Sequence, residues 1–147
     1  MGVKETSSLK NHDLIFDIKA SVLTGTNFDK IDAVKRGISK AALVTFKKAI
    51  NLDYDHFANI LGTTKTTLHK KQDNEVFNAS ISEKAIALME VYNYGYKVFE
   101  DREKFNRWIQ SNNRALGNRV PLDVMDTIFG IDEVKNIITR IEHGVYS

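Results

Sequence analysis

Asp53-Tyr-Asp-His-Phe-Ala-Asn-Ile-Leu-Gly-Thr-Thr-Lys-Thr-Thr-Leu-His-Lys-Lys71 is the stretch on which the fold turns. Asp53 has the side chain of an N-cap, and Phe57, Ala58, Ile60 and Leu61 give the helix that follows an apolar face. Gly62 stops that helix, because glycine reaches the backbone conformation a sharp turn needs. Ala58 is small where two helices cross closely. Leu68, six residues past Gly62, buries a second helix against the first. Helix, glycine turn, helix at these offsets is the spacing of a helix-turn-helix.

The second helix is expected from about Thr64 to Lys71, capped by Thr63 or Thr64. Thr64, Lys65, Thr66, His69 and Lys70 form its candidate DNA-contacting face, since hydroxyls, amines and an imidazole reach phosphates and base edges. The face lacks the Arg, Asn and Gln that make the strongest bidentate base contacts, so any reading of sequence is non-stringent. The alternative is a helix-turn-helix shape used only for packing, with its lysines as a solvated face.

Outward toward the N-terminus, Ser39 caps a helix whose buried stripe is Ala42, Leu43, Phe46 and Ile50. Before it, Asn27 or Asp29 caps a helix through Ile31 and Val34 that Gly37 stops. Leu14, Ile15, Phe16 and Ile18 fit a helix or a short strand equally. Met1 to about Asp13 is a polar lead.

Outward toward the C-terminus, residues 74–80 form a polar connection and Ser82-Glu83 opens a long helix. Ile86, Leu88, Met89, Tyr92, Tyr96, Val98 and Phe99 supply its apolar side. Tyr92, Tyr94 and Tyr96 lie two apart, so they cannot share one helical face. Phe105, Trp108 and Ile109 make an aromatic anchor, with Asp101 or Asp123 as helix starts. Asn112-Asn113 and Gly117-Asn118 mark turns. The sole proline, Pro121, opens a helix that Gly130 is expected to end.

In the last stretch, Val134, Ile137, Ile138 and Ile141 recur at i, i+3, i+4 and i+7, one helical face. Asp132 serves as its N-cap or first-turn acid, and Gly144 as its stop. Val145, Tyr146 and the Ser147 carboxylate follow. An apolar-aromatic tail with a terminal negative charge suits a pocket on another molecule; it equally suits folding back onto the protein's own core.

Composition bounds the function. The chain has 147 residues, 42% of them hydrophobic, enough for one compact domain or two small ones. Cysteine is absent, which excludes disulfides, a thiol nucleophile and a cysteine metal site. No apolar run spans a bilayer and no secretory signal opens the chain, so a cytoplasmic protein without membrane contact is expected. The net charge is only +2, but residues 30–75 hold nine basic against five acidic side chains. His12, His56, His69 and His143 are scattered, with no metal-ligand spacing. No phosphate loop or nucleophile elbow is present, and Glu100-Asp101 and Asp132-Glu133 read as helix-start acids. Neither an enzyme, a catalytic residue nor a cofactor is expected, and the pattern predicts an all-α chain.

Phe105-x-x-Trp108, Asn113-x-Ala115-Leu116-Gly117, Pro121-Leu122-Asp123, Thr127, Gly130, Val134 and Arg140-Ile141-Glu142-x-Gly144-Val145-Tyr146-Ser147 resemble the toxin-binding domain of Xre/MbcA/ParS-type antitoxins. Thr66-Thr67-Leu68 in the helix-turn-helix resembles the Xre-like half of the same family. The likeness runs from about Asp29 to Ser147. Asn118 after Gly117 and Val124-Met125 are mild departures.

With the boundary read between Asn74 and Ser82, the likeness gives an Xre-like helix-turn-helix domain over 29–80 and a toxin-binding domain over 81–147, and leaves 1–28 as an N-terminal extension without a counterpart. The resemblance implies a cognate RES-domain toxin as partner, an NAD-consuming enzyme related to ADP-ribosyltransferases. The C-terminal tail would lie at the toxin's active-site cleft, and the helix-turn-helix half would form a homodimer or higher oligomer that represses its own operon at operator DNA. Gly144 then lets the chain leave the helix, and Val145 and Tyr146 fill the cleft. Ser147 or Glu142 meets cationic groups there, and Arg140 pairs with a toxin acid or caps its own helix end. Two alternatives remain: a stand-alone regulator without a toxin, and an antitoxin that has lost DNA binding.

Overall fold

The structure is a computed structural model that describes residues 14–144. The polar lead before Leu14 and the Val145-Tyr146-Ser147 tail lie outside the described residues. Nine α-helices, one turn of 3-10 helix (Arg114–Leu116) and one two-stranded hairpin make up the regular structure of the described part, as the all-α pattern predicts.

The helices follow from caps and stops written locally. In α2 (Asn27–Arg36) the cap is Thr26, not Asn27 or Asp29. Asp29 sits three residues later and its Oδ2 accepts from the Thr26 backbone N–H at 3.1 Å, half of a capping box. Ser39 caps α3 (Lys40–Ile50), its Oγ accepting from Ala42 N at 3.1 Å. Asp53 caps α4 (Tyr54–Leu61) at 2.8 Å to His56 N. The chain then turns through Gly62 at φ 72°, and Thr64, rather than Thr63, caps α5 (Lys65–Lys70). Leu68 is buried beneath α5 as its offset requires.

Three expectations are corrected. The long helix α6 (Ala79–Phe99) starts one turn earlier than Ser82-Glu83, with Asn78 as cap accepting from Ile81 N at 2.9 Å. Ser82 is fully buried instead: its Oγ accepts from Ile38 N at 2.9 Å and donates to Phe77 O at 3.2 Å. The expected connection over 74–80 therefore stops at Asn78, and it is held in place. Lys40 N donates to Glu75 O and Phe77 N to Ile38 O, and Phe77 enters the core. Finally, Gly130 does not end a helix. The proline helix α8 (Pro121–Val124) is short, Thr127 caps the last helix α9 (Ile128–Glu142), and Gly130 lies buried in its first turn. Asp132 is therefore inside α9, not its cap.

The undecided Leu14–Ile18 cluster is a hairpin, β1 (Leu14–Ile15) against β2 (Ile18–Lys19), antiparallel with Ile15 opposite Ile18. Phe16 and Asp17 make its turn at φ 51° and 66°. That turn drives Phe16 edge-on to Phe46, ring centres 4.8 Å apart. A short helix α1 (Ala20–Thr24), absent from the sequence reading, follows and buries Val22 and Leu23.

Helix α6 is the axis of the molecule. It packs against α1, α2, α3 and α4 and against α7 (Arg102–Ile109, capped by Asp101) and α9. Tyr92, at its centre, lies edge-on to Phe46 and Phe105 at 5.5 and 5.4 Å. Gly95 lets α7 close in: a Cβ there would stand 2.1 Å from the Phe105 ring. These aromatic side chains bury large apolar areas at the centre of the core.

Candidate functional site

Two surfaces carry the candidate residues. The first is the outer face of α5. Thr64, Lys65, Thr66, His69 and Lys70 are all exposed there, on one short helix held by Leu68. Neighbouring elements shape this face in ways the sequence did not announce. Lys65 Nζ lies 3.3 Å from Asp55 Oδ1 on α4. The His69 ring packs on Tyr54 at 4.4 Å, and Lys47 Nζ stands 4.2 Å above the other contact of that ring system, the Tyr54 centroid. Lys40 turns inward: its Nζ donates to His69 O at 3.2 Å and Lys71 O at 2.8 Å, so it closes the C-terminus of α5. Lys40, Lys47 and Tyr54 thus position the face, and only their three-dimensional neighbours mark them.

The second surface is the outside of α9. Val134, Ile137 and Ile138 bury as their spacing predicts, while Ile141 is partly buried. Opposite them, Asn136, Arg140 and His143 are exposed. Arg140 forms no ion pair among the described residues. Glu142 is tied to the fold: the Tyr94 hydroxyl donates to its Oε1 at 2.7 Å and lies 3.0 Å from Thr139 Oγ1. Tyr94 is therefore the surface member of the three tyrosines. Partial burial raises its phenol above the ordinary value, the Thr139 contact opposes that rise, and the Glu142 carboxylate adds to it. Gly144 ends the helix at φ 73°. Of the predicted tail, Val145, Tyr146 and Ser147 lie outside the described residues.

Polar contacts join the two halves. Glu90 of α6 takes Lys30 Nζ of α2 at 2.5 Å and Lys135 Nζ of α9 at 2.8 Å. His56 Nε2 of α4 meets Asp123 Oδ1 of α8 at 3.0 Å. Read in sequence, His56 is a lone histidine and Asp123 a helix-start acid; their separation of 67 positions hides the pair.

Residues 29–90 match the antitoxin Xre-like helix-turn-helix domain. Residues 95–144 match the antitoxin Xre/MbcA/ParS C-terminal toxin-binding domain. The chain belongs to the Xre/MbcA/ParS antitoxin family. Curated relatives agree with that membership. A Prs ADP-ribosylating antitoxin from Sphingobium is 23% identical over 129 residues, covering 81% of each chain. Antitoxin Xre of Photorhabdus laumondii is 33% identical over 72 residues, 48% of this chain and 49% of that one. Antitoxin Xre of Yersinia enterocolitica is 24% identical over 119 residues, 80% of each.

Within this antitoxin, the DNA-facing candidates belong to the first matched domain and Arg140, Glu142 and Gly144 to the second. Helix α6 bridges the two matches. No helix among the described residues is long and apolar enough to cross a membrane.

Proposed function

We propose that this antitoxin neutralises a RES-type, NAD-consuming toxin by setting its C-terminal tail into the toxin's active-site cleft, and that it represses its own operon through α5. One observation carries the reading. A matched toxin-binding domain ends in a helix whose outer face is exposed up to Gly144, and the apolar-aromatic tail follows directly. Val145 and Tyr146 are the anchors, and Arg140 pairs with an acid beside the cleft. Glu142 acts indirectly, because Tyr94 holds it at the base of the tail. The ADP-ribosylating wording in the Sphingobium relative's name supports a toxin of that chemistry. The antitoxin itself supplies no catalysis and acts in the cytoplasm.

Repression needs a two-fold partner, and α2 offers a surface for a second copy. Phe28 and Ile31 are 77% and 47% exposed beside a groove between α2 and α6. The groove is rimmed by Lys30 and Lys35 and by Glu83 and Glu90. Lys30 and Glu90 pair with each other, which leaves Lys35 and Glu83 on the rim, and an isologous contact can set Lys35 of each copy against Glu83 of the other.

The decisive experiment removes Gly144 to Ser147. The truncated chain is expected to keep its helical circular dichroism and its melting temperature, and to lose neutralisation of the co-expressed neighbouring gene product in a growth assay. Full neutralisation by the truncated chain would overturn the tail mechanism.

A further inference from the structure

The last helix carries an apolar knuckle that the fold does not use. Ile128 and Phe129 are 66% and 79% exposed, although both lie in the first turn of a packed helix. The elbow before α9 explains why. A Cβ on Gly130 would stand 1.7 Å from the Val124 carbonyl oxygen, so α8 and α9 meet there backbone to backbone. With Gly130 and Ile131 turned inward, the two residues before them are left outside. Neighbouring large apolar side chains in water mark a contact surface more often than isolated ones do.

The knuckle is continuous with the face that holds Arg140. At about 100° per residue, Phe129 shares its side of α9 with Glu133, Asn136, Arg140 and His143, and all five are exposed. The stripe runs to Gly144, where the chain leaves the helix. Knuckle and exit are thus the two ends of one outward face about 20 Å long. The knuckle end carries an excess of acid. Asp126, Asp132 and Glu133 are exposed around it and form no ion pair among the described residues, against Arg119, which lines the same hollow as Phe129, and Lys84, whose ammonium donates to the Asp126 carbonyl.

We propose that Ile128 and Phe129 are the anchor by which the toxin is held, seated in an apolar pocket ringed by lysine or arginine, while the stripe lies along the toxin as far as the tail. The proposal rests on the antitoxin reading above. The toxin is the occupant because the knuckle lies inside the segment that matches a toxin-binding domain. A second copy, in which Arg119 could face the other copy's Glu133, is the outcome that the light-scattering arm of the test separates. The tail then acts as the inhibitory element and the knuckle supplies affinity.

The test uses the full-length chain and an Ile128→Ser/Phe129→Ser variant, each titrated calorimetrically with the protein encoded by the adjacent reading frame. The variant is expected to melt with the unaltered chain, because both side chains already face water. Its affinity should fall about 30-fold or more. An Asp132→Lys/Glu133→Lys variant should associate several-fold more slowly at low salt. If the unaltered chain binds and the serine variant binds within about threefold of it, the anchor is wrong and the antitoxin reading stands. The same holds if the variant keeps that affinity but loses a dimer mass in light scattering, which assigns the knuckle to a second copy. If the unaltered chain does not bind that protein at all, the toxin-partner reading fails and the anchor falls with it.

Discussion

Single residues decide how closely the helices of this antitoxin meet. Gly130 is the sharpest case, since a methyl group there collides with the Val124 carbonyl, a backbone atom that cannot rotate away. Gly130→Ala is expected to cost about 1–3 kcal/mol or more, read as a lower midpoint in urea with the slope unchanged. Tyr92 is the opposite case. It is fully buried among aromatic rings, and its hydroxyl has no hydrogen-bond partner among the described residues. Burial pushes the phenol far above its usual range. Tyr92→Phe keeps the ring contacts and removes the unpaired group, and should raise stability by about 1 kcal/mol. A lower melting temperature in the phenylalanine variant would count against that account.

At the scale of elements, α5 is a short helix with one buried anchor, so it depends on its surroundings for position. Leu68 holds it from below, Lys40 closes its C-terminus, and Thr64 caps its start. Its exposed lysines are expected to contact phosphates. Changing Lys65 and Lys70 to alanine should weaken binding to the upstream DNA in a gel shift. The slope of log affinity against log salt should fall by about 0.9 for each lost contact. Binding that is equal in both proteins at every salt would indicate that α5 serves packing alone. Lys65 loses less than Lys70 if its pairing with Asp55 persists in the complex, because that lysine is already partly neutralised.

At the scale of the whole molecule, Glu90 is the charged joint between the halves. Burial alone would raise its pKa, but hydrogen bonds and charge from Lys135 and Lys30 outweigh it and hold the carboxyl below its ordinary value. The unfolded chain therefore takes up this proton first as pH falls. The stabilisation is fully present above the ordinary carboxylate range of about 4.3 and is lost as pH drops through the lower folded value. Glu90→Gln should flatten that acid limb in a series of thermal melts and lower the melting temperature at neutral pH. Unchanged acid dependence in the glutamine variant would place the pH sensitivity elsewhere.

The sequence by itself determined the helices whose signals are local. Apolar residues at helical spacing fixed the buried faces of α3, α4 and α9, and Ser39, Asp53 and Gly62 fixed three of their ends. The helix-turn-helix and the family likeness were legible for the same reason: both reside in fixed offsets along the chain. Gly130 misled because glycine stops a helix or permits a close crossing, and nothing local distinguishes the two. Asn78 was overlooked as a cap because the polar segment before it is ordered by distant partners, Ile38 and Lys40. The hairpin at Leu14–Lys19 remained open because a short apolar cluster suits either period until Phe46 supplies the surface it packs on. Only the tertiary structure decided the Glu90 and His56–Asp123 joints and the exposure of Ile128 and Phe129. Each depends on which side chains a long helix brings together across tens of positions, and spacing along the chain carries no record of that.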